Sequence, residues 1–224
     1  MKYIDKFTRR HPRFGIQNLM MHIVILNGIV YAAEVVFLGA LTDYSILNHL
    51  TLDWTKILHG EVWRIVTFLF IPSASSAITY VLSLLCAVFI GRTLENYWGK
   101  CKFTIYIILC VVLTNLAAFV SPPIFAFIFN GEIIFMSLLI IYGMQFPNTE
   151  FRFMFFLPLT GKHLSILYLA LLAVKIVQAL IYSLWPVALS ILATLIPVAI
   201  FLSDDISRSI KAFIRRRKYN KKLK

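Results

Sequence analysis

The chain has 224 residues, of which 60% are hydrophobic, and it carries a formal net charge of +12 at pH 7. The apolar share exceeds the roughly 45–50% of soluble domains, which argues against a soluble globular protein. Lysine and arginine crowd at the two ends of the chain, so the charge indicates a membrane surface rather than nucleic acid as the partner. Cys86, Cys101 and Cys110 fall in or beside apolar segments and are interpreted as packing residues, with no disulfide, metal site or cofactor expected.

Three regions follow along the chain. Residues 1–15 predict a basic segment on the cytoplasmic surface, residues 16–203 a membrane domain, and residues 204–224 a basic cytoplasmic tail. The predicted fold class is an all-α membrane protein of six transmembrane helices, with an embedded loop between helices 1 and 2. The six apolar stretches are Ile16–Leu41, Ala77–Tyr97, Cys101–Val120, Gly131–Phe146, His163–Leu184 and Trp185–Leu202.

Six spans place both ends of the chain on one side of the membrane. That side holds all of the 22 basic residues except Lys56, Arg64 and Lys175. Because cytoplasmic segments are enriched in Lys and Arg, both termini are predicted to be cytoplasmic. The compact six-span form favours a bacterial cytoplasmic (plasma) membrane. We expect the lipid bilayer as a partner, with anionic lipid headgroups at the basic tail and no nucleic acid.

The connection between the first and second stretches, residues 42–76, is long and mixes polar with apolar positions. Its Trp63-Arg64 pair suits the membrane interface, where the ring lies at headgroup level and the guanidinium reaches polar groups. We expect helical turns in this loop that lie partly in the outer leaflet. Arg64 is predicted to bond within the loop, to backbone carbonyls or loop side chains.

Three motifs mark the ends of the predicted helices. The loop carries Gly-x-x-Trp-Arg-x-x-Thr-x-x-Phe, Leu-Glu-x-x-Trp-Gly closes the second stretch, and Gln-Phe-Pro-Asn closes the fourth. Together they resemble the rhomboid family of intramembrane proteins, over residues 16–202. The resemblance implies a six-helix rhomboid-like bundle and the structural signature Gly60, Trp63, Arg64, Gly91, Glu95, Trp98, Gly99, Pro147 and Asn148.

Rhomboid proteases cut transmembrane substrates with a serine in Gly-x-Ser-Gly at the start of span four and a histidine in span six. The resemblance places that serine at Glu132, and it places the family's oxyanion helpers at Thr79 and Ser83. The sequence has no Gly-x-Ser-Gly and no histidine in Trp185–Leu202. Ser137 is a weak candidate nucleophile. It is interpreted, like Ser190, as a packing hydroxyl bonded to the backbone one turn back.

The resemblance therefore implies a catalytically inactive rhomboid-like protein that binds or holds other transmembrane segments. One alternative is a rhomboid intramembrane serine protease with displaced residues. Another is a small transporter built around Lys175 and Glu132, which no repeat halves or broken spans favour.

Ionisable and polar groups inside predicted spans are costly unless they are paired or hydrated. Such groups here are Glu34, Glu132, Lys175 and Gln178. In one interpretation Lys175 reaches Glu132 and forms an ion pair, and in the other each group extends to its nearest interface or to a water pocket. The bulky run Ile133–Met136 also predicts that span four packs at a wide separation from its neighbours.

Overall fold

The computed structural model describes residues 8, 10, 13–39, 46–71, 77–151, 159–182 and 184–222. Most of them are helical, and the all-α prediction misses one short antiparallel strand pair in which Glu150 lies opposite Thr160. Short 3-10 turns occupy Phe68–Phe70 and Pro123–Ile128. The other elements are α1 (Leu19–Gly39), α2 (Leu47–Leu50), α3 (Trp54–Leu58), α4 (Arg64–Thr67), α5 (Ala77–Trp98), α6 (Lys100–Val120), α7 (Glu132–Gln145), β1 (Glu150–Phe151), β2 (Leu159–Thr160), α8 (Gly161–Ile181) and α9 (Trp185–Lys222).

Four helices in the described part of the chain are long and apolar enough to cross a membrane, namely α5, α6, α8 as far as Ala179, and α9 as far as Ser203. Residues Leu19–Val35 of α1 and the whole of α7 are apolar but shorter. The count of six spans therefore stays a prediction. Helix α9 runs on from the predicted last span through residues 204–222, so the predicted boundary before the basic tail is not a break in the helix.

Helix α7 lies among the longer helices and packs against α5, α6, α8 and α9. Most of its circumference is apolar and buried, as Ile134, Leu138 and Ile141 illustrate. A helix that is hydrophobic on nearly all sides is stable in the centre of a bundle rather than at its surface. Its neighbours therefore fix the position of Glu132, its first residue.

Helices α7 and α8 approach closely near the end of α7. A Cβ atom on Gly143 would clash with the carbonyl oxygen of Gly161 and with the hydroxyl of Ser165, so only glycine fits here. The Ser165 hydroxyl donates to the carbonyl oxygen of Gly161 at 3.2 Å. The expected wide separation of span four is wrong at this end, because small residues let the two backbones come together.

The end of α5 holds the start of α1. Glu95 is buried, and its Oε1 accepts a hydrogen bond from the backbone N–H of Asn18 at 2.7 Å. Because Asn18 immediately precedes α1, the carboxylate satisfies a donor at a helix start. One turn before Glu95, Gly91 leaves room for the side chain of Met20, which a Cβ atom would overlap. These two signature residues therefore join α1 to α5.

The turn between α5 and α6 also contacts a third helix, α9. The Trp98 ring packs against Tyr106 on α6 and Phe201 on α9, with centroid separations of 5.6 and 5.2 Å. Gly99 has a φ of +83°, which a residue without a Cβ adopts at little cost, and its N–H donates to Glu95 O at 2.7 Å. The Leu-Glu-x-x-Trp-Gly motif thus contacts α1, α6 and α9 in this structure.

Candidate functional site

Arg64 is completely buried in the loop between α1 and α5. Its Nη1 donates to the backbone carbonyls of Asn48 and Thr51 at 2.8 and 2.9 Å, and its Nε donates to Glu61 Oε2 at 2.6 Å. Its Nη2 lies 2.5 Å from the same carboxylate oxygen. A guanidinium presents its donors in a fixed plane, and here carbonyls and one carboxylate of the same loop surround it. The predicted bonding of Arg64 within its own loop is confirmed.

Short helices give the loop its shape, as the sequence predicts. Asp53 caps α3, its side chain accepting a hydrogen bond from the backbone N–H of Thr55 at 3.0 Å. Gly60, with a φ of +108°, turns the chain from α3 towards α4. The Thr67 hydroxyl at the end of α4 donates to the carbonyl oxygen of Leu50 at 3.3 Å, which ties α4 to α2. The loop is therefore an ordered substructure around Arg64.

One side of the loop is apolar and exposed. Leu58, Val62, Trp63 and Val66 are each more than half exposed. The Trp63 Nε1 donates to the backbone carbonyl of His49 at 3.4 Å, so the ring is attached to the loop at its polar edge. An apolar surface rimmed by an indole suits insertion at headgroup depth.

Asn115 on α6 connects this loop to the bundle. Its Nδ2 donates to the backbone carbonyl of Ile65 at 3.1 Å, and its backbone carbonyl accepts a hydrogen bond from Trp54 Nε1 at 3.0 Å. The Trp54 ring also meets Phe119 edge-on, with a centroid separation of 5.0 Å. Asn115 thereby fixes α3 and α4 against the C-terminal part of α6.

A second connection, which the sequence analysis missed, is a buried polar cluster of Asn27, Tyr80 and Leu69. The Asn27 Nδ2 donates to the backbone carbonyl of Leu69 at 3.1 Å. The Tyr80 hydroxyl donates to the backbone carbonyl of Asn27 at 2.8 Å, and it also contacts the side-chain Oδ1 of Asn27. The cluster joins α1, α5 and the turn that ends the loop. A polar Asn27 within an apolar stretch was the available signal, because such a group must find a partner in the bundle.

Ser137 lies on α7 with 1% of it exposed. Its hydroxyl donates to the backbone carbonyl of Ile134 at 2.8 Å and lies 3.7 Å from Cys110 Sγ, with the buried hydroxyl of Tyr106 beside them. The Ser190 hydroxyl likewise donates to Val187 O at 2.8 Å. The packing interpretation of both serines is confirmed. A serine nucleophile needs a base that takes its proton, and a backbone carbonyl cannot do so.

The two positions that the resemblance assigns to oxyanion helpers, Thr79 and Ser83, lie on α5. The Ser83 hydroxyl donates to Tyr80 O at 2.7 Å, and Thr79 is exposed on α5. His11 lies outside the described residues. The ring nitrogens of three other histidines contact atoms within four residues along the chain, in the pairs His22 with Asn18 O, His59 with Thr55 O, and His163 with Thr160 Oγ1.

Glu132 and Lys175 meet across α7 and α8, with Nζ 3.9 Å from Oε1. The ion-pair interpretation is therefore confirmed, at the long end of ion-pair distances. The side chains remain 37% exposed for Glu132 and 52% for Lys175, so the pair lies at the surface of the bundle. The position that the resemblance assigns to the serine thus holds Glu132, one member of a partly exposed ion pair between α7 and α8.

The remaining predicted polar residues lie apart from this pair. Glu34 is buried and accepts a hydrogen bond from the backbone N–H of Ile46, in the loop after α1, at 3.0 Å. Gln178 is exposed on α8, one turn beyond Lys175. Pro147 and Asn148 are exposed after α7, where the Pro147 carbonyl accepts from the N–H of Lys162 at 3.2 Å. Among the described residues, no three His, Cys, Asp or Glu side chains form a group that could hold a metal ion.

A family model described as eukaryotic integral membrane protein (DUF1751) matches residues 19–197. No curated protein and no solved structure matches the chain. The family finding overturns the expectation of a bacterial cytoplasmic membrane. Compactness in six apolar stretches does not distinguish bacterial from eukaryotic membranes, because the hydrocarbon thickness that sets span length differs by only a few Å between them.

Proposed function

Because the chain belongs to this family of eukaryotic integral membrane proteins, we propose that it is a catalytically inactive, rhomboid-like protein that binds transmembrane segments of other membrane proteins. The proposed binding surface is the lipid-facing side of α5 and α8, which flank α7. The observation that carries the proposal is the low burial of these two helices. Only 28% of the membrane-length part of α5 and 18% of that of α8 are buried, against 50% for α6 and α9.

The burial pattern of α8 explains why its surface is available. Gly161, Ser165, Leu172 and Ala179 lie on one narrow stripe that faces the bundle. Exposed apolar side chains cover most of the rest, including Leu167, Leu171 and Val174 on α8, and Val81 and Leu85 on α5. Within a bilayer, helices associate through side-chain packing and polar contacts rather than through the hydrophobic effect. Shape and polar groups on this surface would therefore select the partner.

The residues at the positions that the resemblance assigns to catalysis support the non-enzymatic part of the proposal. Glu132 occupies the position that the resemblance assigns to the serine, and the nearby Ser137 hydroxyl donates to a backbone carbonyl. The position of Glu132 on α7 would then serve recognition instead of proteolysis. The embedded loop around Arg64 would hold the protein at a fixed depth beside the bound segment.

Site-specific photocrosslinking in eukaryotic cell membranes tests the binding surface. A photoreactive residue at Val81 or Leu171 should form adducts with a defined set of membrane proteins. Val112 on α6 and Leu192 on α9 serve as controls, because their exposed fractions of 47% and 51% match the 54% and 49% of the test positions. Equal adducts at all four positions, or adducts to lipid alone, would contradict the proposal.

A fluorophosphonate probe tests the absence of serine-protease chemistry. We expect no labelling of the purified protein above the background of the heat-denatured protein. Specific labelling that disappears in Ser137→Ala would instead support the protease alternative.

A further inference from the structure

The ion pair between Glu132 and Lys175 is incomplete on its lipid-facing side. An ammonium group has three donors, and Glu132 Oε1 is the one carboxylate oxygen within ion-pair distance of Lys175 in the described part of the chain, at 3.9 Å. The Lys175 side chain is 52% exposed, and a charged group within a membrane-spanning helix is costly without partners. An acceptor supplied from the membrane would complete the coordination of this ammonium.

The two charges differ in how well the protein itself stabilises them. Glu132 is in the first turn of α7, where the partial positive charge of the helix N-terminus favours a carboxylate. Lys175 has no such support, since it lies six residues before the end of α8 and that helix contains no acidic residue. Lys175 is therefore the group that gains more from an additional partner.

The surroundings of Lys175 fit a helix. Tyr168, Leu171, Lys175 and Gln178 of α8, and Tyr182 directly after its last residue, are spaced by three and four residues in turn, which places them along one stripe. Four of them are exposed and Tyr168 is partly so. Alternating steps of three and four residues form the contact line of two helices that cross at about 20°. The stripe is long enough to receive about three turns of a partner.

Depth distinguishes a helix from a lipid headgroup as the source of the acceptor. Lys175 is 14 residues from the start of α8, about 21 Å along its axis, and about 9 Å from its other end. A headgroup phosphate stays near the membrane surface, whereas a side chain on a spanning helix can lie at any depth.

We propose that Lys175 recognises a transmembrane helix that carries an acidic side chain at the depth of the Glu132–Lys175 pair. The carboxylate of the partner bonds the two exposed donors of the ammonium, and the remainder of the stripe packs against apolar side chains of that helix. This inference rests on the proposed function, and it adds the chemical class of the bound segment.

Binding of synthetic single-span helices to the full-length protein in nanodiscs tests the inference. The helices share a leucine-rich sequence and differ at one position, which is Glu, Gln, Leu or Lys. Fluorescence transfer reports their affinities. The wild type should bind the Glu helix about tenfold more tightly than the Gln and Leu helices.

Three variants assign this preference to Lys175. Lys175→Gln should abolish it, whereas Lys162→Gln, at the exposed start of the same helix, should retain it. The double variant Glu132→Lys/Lys175→Glu keeps an ion pair and should transfer the preference to the Lys helix. This double variant keeps the test valid even if Lys175→Gln fails to fold.

Each other result identifies which statement fails. Equal binding of all four helices would overturn the inference and leave the proposed function intact. A preference that appears only in discs with anionic lipid, whatever the helix, would overturn it in favour of a headgroup phosphate. If no helix binds at all, the proposed function fails and the inference fails with it.

Discussion

Two pairs of opposite charge in this protein differ sharply in their surroundings. Arg64 is fully buried and bonds to Glu61 and to two backbone carbonyls of its loop. Lys175 is half exposed and has one carboxylate, that of Glu132, at 3.9 Å. The comparison teaches that the first pair is enclosed by the protein and serves its scaffold, whereas the second is left exposed at the surface of the bundle.

The chemistry of the two cations fits these roles. A guanidinium holds its donors in one plane, so that a rigid loop can satisfy them permanently. An ammonium on a flexible four-carbon chain is a point charge that can move between acceptors. Removing one member of a buried, hydrogen-bonded pair costs about 3–5 kcal/mol, whereas an exposed pair contributes about 0–1 kcal/mol. The stability of variants can therefore separate the two roles.

Arg64→Ala should have the largest effect on stability. The change leaves the Asn48 and Thr51 carbonyls and the Glu61 carboxylate without their donor. We expect the free energy of unfolding to fall by about 3–5 kcal/mol. Unfolding in mixed detergent micelles, followed by circular dichroism, measures it. The control Arg92→Ala removes an exposed arginine and should change the value by less than about 0.5 kcal/mol. Similar losses for both variants would remove the contrast.

Gly143→Ala tests the close packing of α7 against α8 at the end of α7 that is remote from Glu132. The added methyl group meets the Gly161 carbonyl oxygen and the Ser165 hydroxyl, so the helices must separate. We expect a loss of about 1–3 kcal/mol in the free energy of unfolding. Gly28→Ala is the matched control, because a Cβ atom there meets nothing within 4 Å. Because alanine has a higher helix propensity than glycine, that variant should be neutral or slightly more stable than the wild type.

The contrast between the pairs also shows what the sequence could predict. Arg64 was assigned correctly because a cation in a loop between apolar segments must use acceptors close to it in the chain. For Glu132 and Lys175, the spacing along each helix could not decide between pairing and separation, since the rotation of α7 relative to α8 determines it. Both interpretations were open until the structure placed the two side chains together.

Contacts to the backbone were the least predictable part of the site. The acceptor of Asn27 is the carbonyl oxygen of Leu69, 42 residues away, and every residue offers such an oxygen. The close approach at Gly143 similarly depends on the backbone of Gly161. The presence of membrane-length apolar helices, in contrast, could be predicted from the distribution of apolar residues, because long apolar runs between polar ends have few alternatives to membrane helices.

Asn27→Leu should have an intermediate effect, because the Asn27 cluster is buried like Arg64 but uncharged. We expect a loss of about 1–2 kcal/mol. A double-mutant cycle with Tyr80→Phe measures the coupling directly, and it should be non-zero because the Tyr80 hydroxyl also donates to the side-chain Oδ1 of Asn27. The exposed Asn96 provides a control, since Asn96→Leu should leave stability nearly unchanged. Full additivity of Asn27→Leu and Tyr80→Phe would show that the cluster is not a unit.

Glu132→Gln should have the smallest effect on stability, and this makes it the most informative variant for the comparison. The carboxylate is 37% exposed and its partner is 3.9 Å away, so screening and side-chain freedom limit the loss to less than about 1 kcal/mol. In the crosslinking experiment, however, the same variant removes the one carboxylate that competes for Lys175. Adducts at Leu171 with partners that carry an acidic residue should therefore increase. A stability loss as large as that of Arg64→Ala, with unchanged adducts, would mean that the lipid-facing pair belongs to the scaffold as well.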